Sequence, residues 1–302
     1  MSKRQLKAIN YSINEFCKKH KDGMSFETKN SMSLRLKTIF KDLHGLGYKI
    51  PNISNIKQKH VEYLVSHWKE NGLSPGTIKN RMSNLRFVCK AYGRDNVVKS
   101  NNDYGIEKRS YIPTGNKAIQ EIDFGKITDD RLRSSLELQK QFGLRREECL
   151  KIKPSQALIK NSSGQKYLKL QGSWTKGGIE RHIPIKTDAQ LQAVMDSINL
   201  VGKESMIPKE LNYIERRNQY DDLTHRAGFK NLHGLRHAYA QNRYQELTNL
   251  LSKGKGWNCP LDGGLKRREM TLEQKEIDKL AKIQISNELG HSRVAIVKNY
   301  IG

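Results

Sequence analysis

The chain has 302 residues, with 55 Lys and Arg against 31 Asp and Glu, a net charge of +24 and a pI near 9.8. A chain of this length suits two domains of roughly 100 to 200 residues each, and the positive excess points to a polyanionic partner, nucleic acid ahead of an anionic membrane. A mean hydropathy of -0.76, with no apolar run approaching the roughly 20 residues of a spanning helix, excludes an integral membrane protein.

The N-terminal third reads as helical. Apolar residues recur at three-to-four spacing over 5–20, 25–46, 57–71 and 75–92, giving four helices. Asp22-Gly23, the stretch from Gly45 to Pro51, and Asn71-Gly72 mark the boundaries, and Ser74 with Pro75 makes a ready N-cap and first helical turn. In the fourth helix Lys79, Arg81, Arg86 and Lys90 lie beside Ile78, Met82, Leu85, Val88 and Cys89, so its basic side either meets DNA phosphates or is a solvated face. From 96 to 120 the periodicity gives way to Asn101, Asn102, Asp103, Gly105, Pro113 and Gly115, which sets domains at 1–98 and 121–302 around a linker at 99–120. Cys17, Cys89, Cys149 and Cys259 are scattered, without a Cys-x-x-Cys pair or a signal peptide, so buried or idle thiols in a reduced cytoplasmic protein are expected.

The second domain opens with a helical pattern over 129–142, followed by Gly143-Leu144-Arg145-Arg146-Glu147-Glu148. Arg145 can be held by Glu148, three residues on, with its fork aimed at a phosphate, although Arg-rich junctions are common. A hairpin is expected from 165–172 and 179–185 with its turn at Gly177-Gly178. Lys176, beside that turn, is either a solubilising residue or a point charge reaching into a groove. His233 and His237 stand four apart, a metal-binding spacing, but no third ligand lies at a recognisable distance, so neither a metal nor another cofactor is expected. His233 and Arg236 share a helix face, and an imidazole with a guanidinium suits phosphate binding with proton transfer. Tyr300, nine residues after His291, reads by itself as a packing residue or a frayed end.

Taken together, Gly143-Leu144-Arg145 with Glu148, Lys176 to Pro184, His233-Gly234-Leu235-Arg236-His237, Leu289-Gly290-His291-Ser292 and Tyr300 resemble, in order, the motifs of the tyrosine recombinases, the phage-integrase family. The resemblance covers 121 to the end by motif and 5–93 more loosely. It implies a multidomain protein, an all-α N-terminal core-binding (SAM-like) domain plus a mixed, mainly α, α+β catalytic domain, closing as a clamp around duplex DNA. It implies that Arg145, Arg236 and His291 stabilise charge growing on the non-bridging phosphate oxygens. Tyr300 attacks, His233 takes its proton, and Lys176 protonates the departing 5′ oxygen, leaving a 3′-phosphotyrosyl link. Glu148 orients Arg145, His237 is a packed histidine, and Lys79, Arg81, Arg86 and Lys90 contact DNA. The implied partners are double-stranded DNA attachment sites, with a homotetramer on synapsed DNA and a monomer or weak oligomer when free, integrating or excising a mobile element.

Two features depart from the family's pattern. Between Arg236 and His291 lie 54 residues, more than compact members carry, and 250–282 reads as a tolerated surface insertion ahead of a loop and helix that contact DNA or a neighbouring subunit. Only Ile301 and Gly302 follow Tyr300, where many recombinases carry a helix that docks on a neighbour, so subunit coupling falls to the insertion or to residues beyond this sequence. Two other readings stay open: a DNA-binding or architectural protein with a vestigial catalytic set, and a type IB topoisomerase.

Overall fold

The computed structural model describes residues 3–20, 22–109, 113 and 115–302. The chain divides into two units, Met1–Ser110 and Tyr111–Gly302, each with its own apolar core.

The first unit is built on α1 (Lys3–Lys19), α2 (Phe26–Gly45), α3 (Gln58–Glu70) and α4 (Pro75–Ala91). Each exists for a local reason as well as a packing one. Ser25 and Ser74 accept the N–H of Thr28 and Thr77, closing the starts of α2 and α4, and Pro75 occupies the first turn, where its missing N–H costs nothing. Their apolar faces meet in a core that includes Ile13, Leu36, Phe40, Leu64, Trp68 and Leu85. At its edge Asp42 accepts from the Trp68 indole N–H at 2.9 Å and from Arg81 at 2.7 Å, and the Arg81 guanidinium lies 4.9 Å from the Trp68 ring. The stretch expected to be a linker is largely built into the two units: Val98 and Ile106 are buried in the first core, Arg86 donates to the carbonyl of Lys99, and Ile119 donates to the carbonyl of Gly234 in the second unit. Residues 110–112 and 114 of that stretch lie outside the described residues.

The second unit contains α5 (Asp130–Phe142), α6 (Arg146–Lys151), the single turn α7 (Pro154–Ala157), strands β1 (Leu158–Lys160), β2 (Lys166–Leu170) and β3 (Arg181–Pro184), then α8 (Asp188–Val201), α9 (Tyr213–Arg226), α10 (Gly234–Leu251), α11 (Leu272–Leu289) and α12 (Lys298–Ile301). The strands form an antiparallel sheet in the order β1-β2-β3, with Leu168 opposite both Leu158 and Ile183. The expected hairpin corresponds to β2 and β3. Its connection is not a tight turn at Gly177-Gly178 but a longer loop, 171–180, that includes a 3-10 turn at Gly172–Trp174, and β1 is an extra strand. That loop is pinched at its base: a Cβ on Gly172 would lie 2.5 Å from the carbonyl oxygen of Gly178, so only glycine lets the two sides approach.

The segment at 250–282 is not a surface insertion. Cys259, Met270, Ile277 and Ala281 are buried, and α11 packs along α10 as part of the core. Several of its polar residues are answered internally, Arg267 and Lys282 by the buried Asp278. All four cysteines are free thiols, three of them buried, and no helix among the described residues is long and apolar enough to cross a membrane.

If Asp42 is the anchor that joins α2, α3 and α4, Asp42→Ala leaves the Trp68 N–H and the Arg81 charge without their partner and destabilises the first unit by about 1–3 kcal/mol. A thermal or urea midpoint unchanged by that substitution contradicts this account.

Candidate active site

Helix α10 organises the site because it is buried on nearly every side, so that each polar group it carries needs a partner from another element. Its start is packed under the incoming chain: a Cβ on Gly234 would lie 2.5 Å from the carbonyl oxygen of Lys117. From this helix Arg236 enters the interior fully buried (0% exposed). Its guanidinium donates to the carbonyls of Gly143 and Leu289, lies 3.2 Å from His291 Nε2, and places its Nε 3.4 Å from the Tyr300 hydroxyl. Gly143 ends α5 in the left-handed region, at φ 59°, and a Cβ there would strike the Tyr239 ring at 2.6 Å, so the carbonyl that receives Arg236 depends on glycine.

Glu148 is the second organiser, also 0% exposed. It accepts from the Arg145 N–H at 2.7 Å and from the Arg145 guanidinium at 2.8 Å, closing the start of α6. The same carboxylate takes two bonds from Arg181, at 3.0 and 2.7 Å, and lies 3.9 Å from Arg236. Burial alone would raise its pKa, but the Arg181 hydrogen bonds and then the charges of Arg181, Arg236 and Arg145 hold it down at about 2. Three guanidiniums therefore share one carboxylate. Burial, and then the neighbouring charge of Arg145, lower the Arg236 pKa to about 10. Such a pocket favours an incoming anion with several oxygens, as a phosphodiester has.

Arg181 belongs to the cluster although the sequence motifs assign it no role. Its signal lies in β3, where it shares the buried face with Ile183, and an Arg at a core register position requires a buried acceptor. Its Nε also donates to the carbonyl of Glu288 at 2.8 Å, tying the strand to the end of α11. There the Glu288 side chain accepts from Tyr239 at 2.8 Å and from Arg243 at 2.9 Å. Gly290, at φ 64°, packs against Arg181 and turns the chain into His291.

Tyr300 sits on α12, 7% exposed, with its hydroxyl 3.5 Å from His233 Nε2. Its ring stacks on His291, with centroids 5.4 Å apart, and lies 4.6 Å from the ring of His237. Its backbone carbonyl accepts from Gln241 of α10 at 2.9 Å. His233, on the exposed rim, has its pKa pulled below the ordinary imidazole range by desolvation and then by Arg236, and His291 is lowered to about 3 by the same causes. Both rings are thus neutral at pH 7, and an unprotonated His233 Nε2 can accept a proton from the phenol.

The structure thus brings together Arg145, His233, Arg236, His291 and Tyr300, with Glu148 beneath them. Lys176 stands apart, exposed at the tip of the 171–180 loop, with no bond to the cluster among the described residues. His233 and His237 are 5.6 Å apart between ring centroids, and no group of three or more His, Cys, Asp or Glu side chains among the described residues is set to hold a metal. Of the basic residues on α4, Arg81 and Arg86 are engaged within the first unit, by Asp42 and by the Lys99 carbonyl with Asn101, whereas no bond occupies the Lys79 or Lys90 side chains among the described residues.

Two measurements follow from this electrostatic arrangement. Glu148→Gln leaves buried guanidiniums without their counter-charge and costs about 3–5 kcal/mol of stability. The histidines fix the pH dependence: their folded values lie below the ordinary 6.5, so in acid the unfolded chain binds more protons than the folded one. Stability is then full above about pH 6.5 and falls as the pH passes toward about 3, with Glu148 adding loss of the same sign between 4.5 and about 2. A thermal midpoint that rises on going from pH 7 to pH 5 contradicts this assignment.

Two family models match the chain: one described as phage integrase, N-terminal, over residues 6–98, and one described as integrase, over residues 109–242. No curated protein sequence matches significantly. The fold is similar to that of a lambda integrase dimer bound to a COC′ core site (TM-score 0.57, 14% identity, covering 99% of this chain and 79% of the other). It is also similar to the Tn1549 transposon integrase in complex with a circular intermediate DNA (TM-score 0.52, 14% identity, covering 97% and 95%) and to a lambda integrase tetramer bound to a Holliday junction (TM-score 0.51, 14% identity, covering 94% and 77%). The matched families and the shared two-domain fold place the chain in the phage-integrase family of tyrosine recombinases, enzymes that break and rejoin DNA at specific sites.

Proposed function

We propose that Tyr300 is the nucleophile of this recombinase and that the cluster around it binds and activates the scissile phosphodiester. The observation that carries the reading is the Tyr300 hydroxyl, within 3.5 Å of both Arg236 and His233, at the edge of a pocket where three arginines share one carboxylate. Arg145 and Arg236, with His291, receive the non-bridging oxygens, on which charge grows in the transition state, and the field is set before DNA arrives. The phenol gives its proton to His233 as its oxygen bonds to phosphorus. The bond from phosphorus to the 5′ oxygen breaks, and Lys176 protonates that oxygen, leaving a 3′-phosphotyrosyl link and a free 5′ hydroxyl. A 5′ hydroxyl from a second strand reverses the step without an external energy source.

Lys176 fulfils this role by approaching the cluster on DNA, from a loop whose base is rigid and whose tip is open to solvent. Lys79 and Lys90 contribute to phosphate contact from α4. The partners proposed are duplex attachment sites of a mobile element, with four copies acting on synapsed DNA in the compartment that holds it, the cytoplasm; the tetramer of lambda integrase on a Holliday junction supports the assembly.

The test is a nicked duplex that carries the cognate core, sought first in the DNA flanking the reading frame. Wild type is expected to accumulate a covalent protein–DNA adduct that Tyr300→Phe abolishes. Arg236→Ala slows its formation by about 10²–10³-fold, and Lys176→Ala by about 10²–10⁴-fold. A 5′-bridging sulfur, which leaves as a thiolate without needing a proton, restores the Lys176→Ala variant but not Arg236→Ala. No adduct from wild type on a site it binds, or an adduct from Tyr300→Phe, overturns the assignment.

A further inference from the structure

A nucleophile on the single turn α12 needs something beneath it, and the residues that provide it lie in the segment between α10 and α11. The 3-10 turn Pro260–Asp262 packs against α12. A Cβ placed on Gly302, the residue that closes α12, would lie 2.9 Å from Pro260 Cβ and 3.4 Å from the Leu261 N, so the contact leaves no room for a methyl group. Leu261 packs on the same core as Tyr300 and the fully buried Ile301.

This turn is fastened to the core on several sides. Thr248 of α10 clips Trp257 by bonds to its carbonyl, at 2.9 Å, and from its N–H, at 3.2 Å. The Trp257 indole donates to the Tyr244 hydroxyl at 3.2 Å, and Tyr244 donates to the buried Asp278 at 2.8 Å. Asp278 is also held by Arg267, at 3.2 Å, and by Lys282. The chain between these points is wound so tightly that a Cβ on Gly256 would strike the backbone of Asn249 at 2.5 Å and one on Gly264 would strike the Asn258 carbonyl at 1.7 Å. A surface loop has no need for such constraint.

We propose that residues 257–262 form a seat that fixes α12 within its own protomer, and that Pro260 and Leu261 are positioning residues for the Tyr300 hydroxyl. The proposal rests on Tyr300 being the nucleophile. Gln241 holds the Tyr300 carbonyl from α10 and the seat packs against Gly302 at the close of the same turn, so α12 is held by two elements. In-line attack on phosphorus tolerates little displacement, so a loosened seat lowers the rate of attack while leaving phosphate binding intact.

The test compares single-turnover adduct formation and duplex binding for the full chain carrying Leu261→Ala or Gly302→Ala, with Leu261→Met as the conservative partner. Leu261→Ala removes the support, and Gly302→Ala adds a methyl group against Pro260 without disturbing the loop's own core. Both are expected to slow adduct formation by roughly 10- to 100-fold with unchanged DNA affinity, the order expected for a misplacement of about 1 Å. Leu261→Met restores most of the rate. The 5′-bridging sulfur substrate does not, because the fault lies in attack and not in leaving-group protonation. Wild-type rates in both Leu261→Ala and Gly302→Ala, an equal loss in DNA binding, or recovery on the sulfur substrate each overturn the seat. An adduct from Tyr300→Phe, or none from wild type, overturns the nucleophile assignment instead, so the two failures are distinguishable.

Discussion

The site depends on one carboxylate. Glu148 is buried with Arg181 and Arg236, and the half-buried Arg145 joins them, three positive charges that repel one another and that burial makes costly. Its negative charge makes their coexistence possible and fixes where each guanidinium points. One charge cannot neutralise three, and a net positive charge remains beside the Tyr300 hydroxyl. Burying these groups costs stability, and under the proposed function that cost sets the charge in place before substrate arrives.

The same reasoning extends along α10. Because the first two turns of this helix are buried on every side and one face stays buried beyond them, its polar side chains bind the other elements to it: Arg236 holds the ends of α5 and α11, Arg243 and Tyr239 hold Glu288, Tyr244 holds Asp278, and Gln241 holds the backbone of Tyr300. Fold and site are consequently not separable here. The hydrogen bonds that satisfy a buried helix also set the distances among His233, His291 and Tyr300. Glu288 and Asp278 lie away from the Tyr300 hydroxyl, yet both are bonded to the helix that follows His233 and carries Arg236.

Much of the architecture was legible in the sequence because it is written locally. Helices α1 to α4 follow from apolar spacing, α4 also from its Ser74 cap, and β2 and β3 from apolar and β-branched runs on either side of a glycine pair. Strand β1 was not legible: it is three residues long, too short for a period of two to show. The basic side of α4 read as one surface, yet Arg81 and Arg86 are spent on Asp42 and on the Lys99 carbonyl, partners 39 and 13 residues away. Segment 250–282 read as an insertion because 54 residues separate Arg236 from His291, more than compact members of the family carry, and its glycines and charges resemble those of a loop. Here the glycines are demanded by backbone contact, and Arg267 and Lys282 answer a buried Asp278.

By itself the sequence determined the two-domain organisation, the basic character, and the order of reactive residue types that the family shares, since each is carried by composition or by residues close in the chain. Only the tertiary structure decided which charges are neutralised and which remain. Glu148 meets Arg181 across 33 residues and Arg236 meets Tyr300 across 64, separations over which helical or strand periodicity carries no information. Contacts of that kind also hold Tyr300, because α12 has too few residues to place itself and is met by Gln241 of α10 and by Pro260 and Leu261.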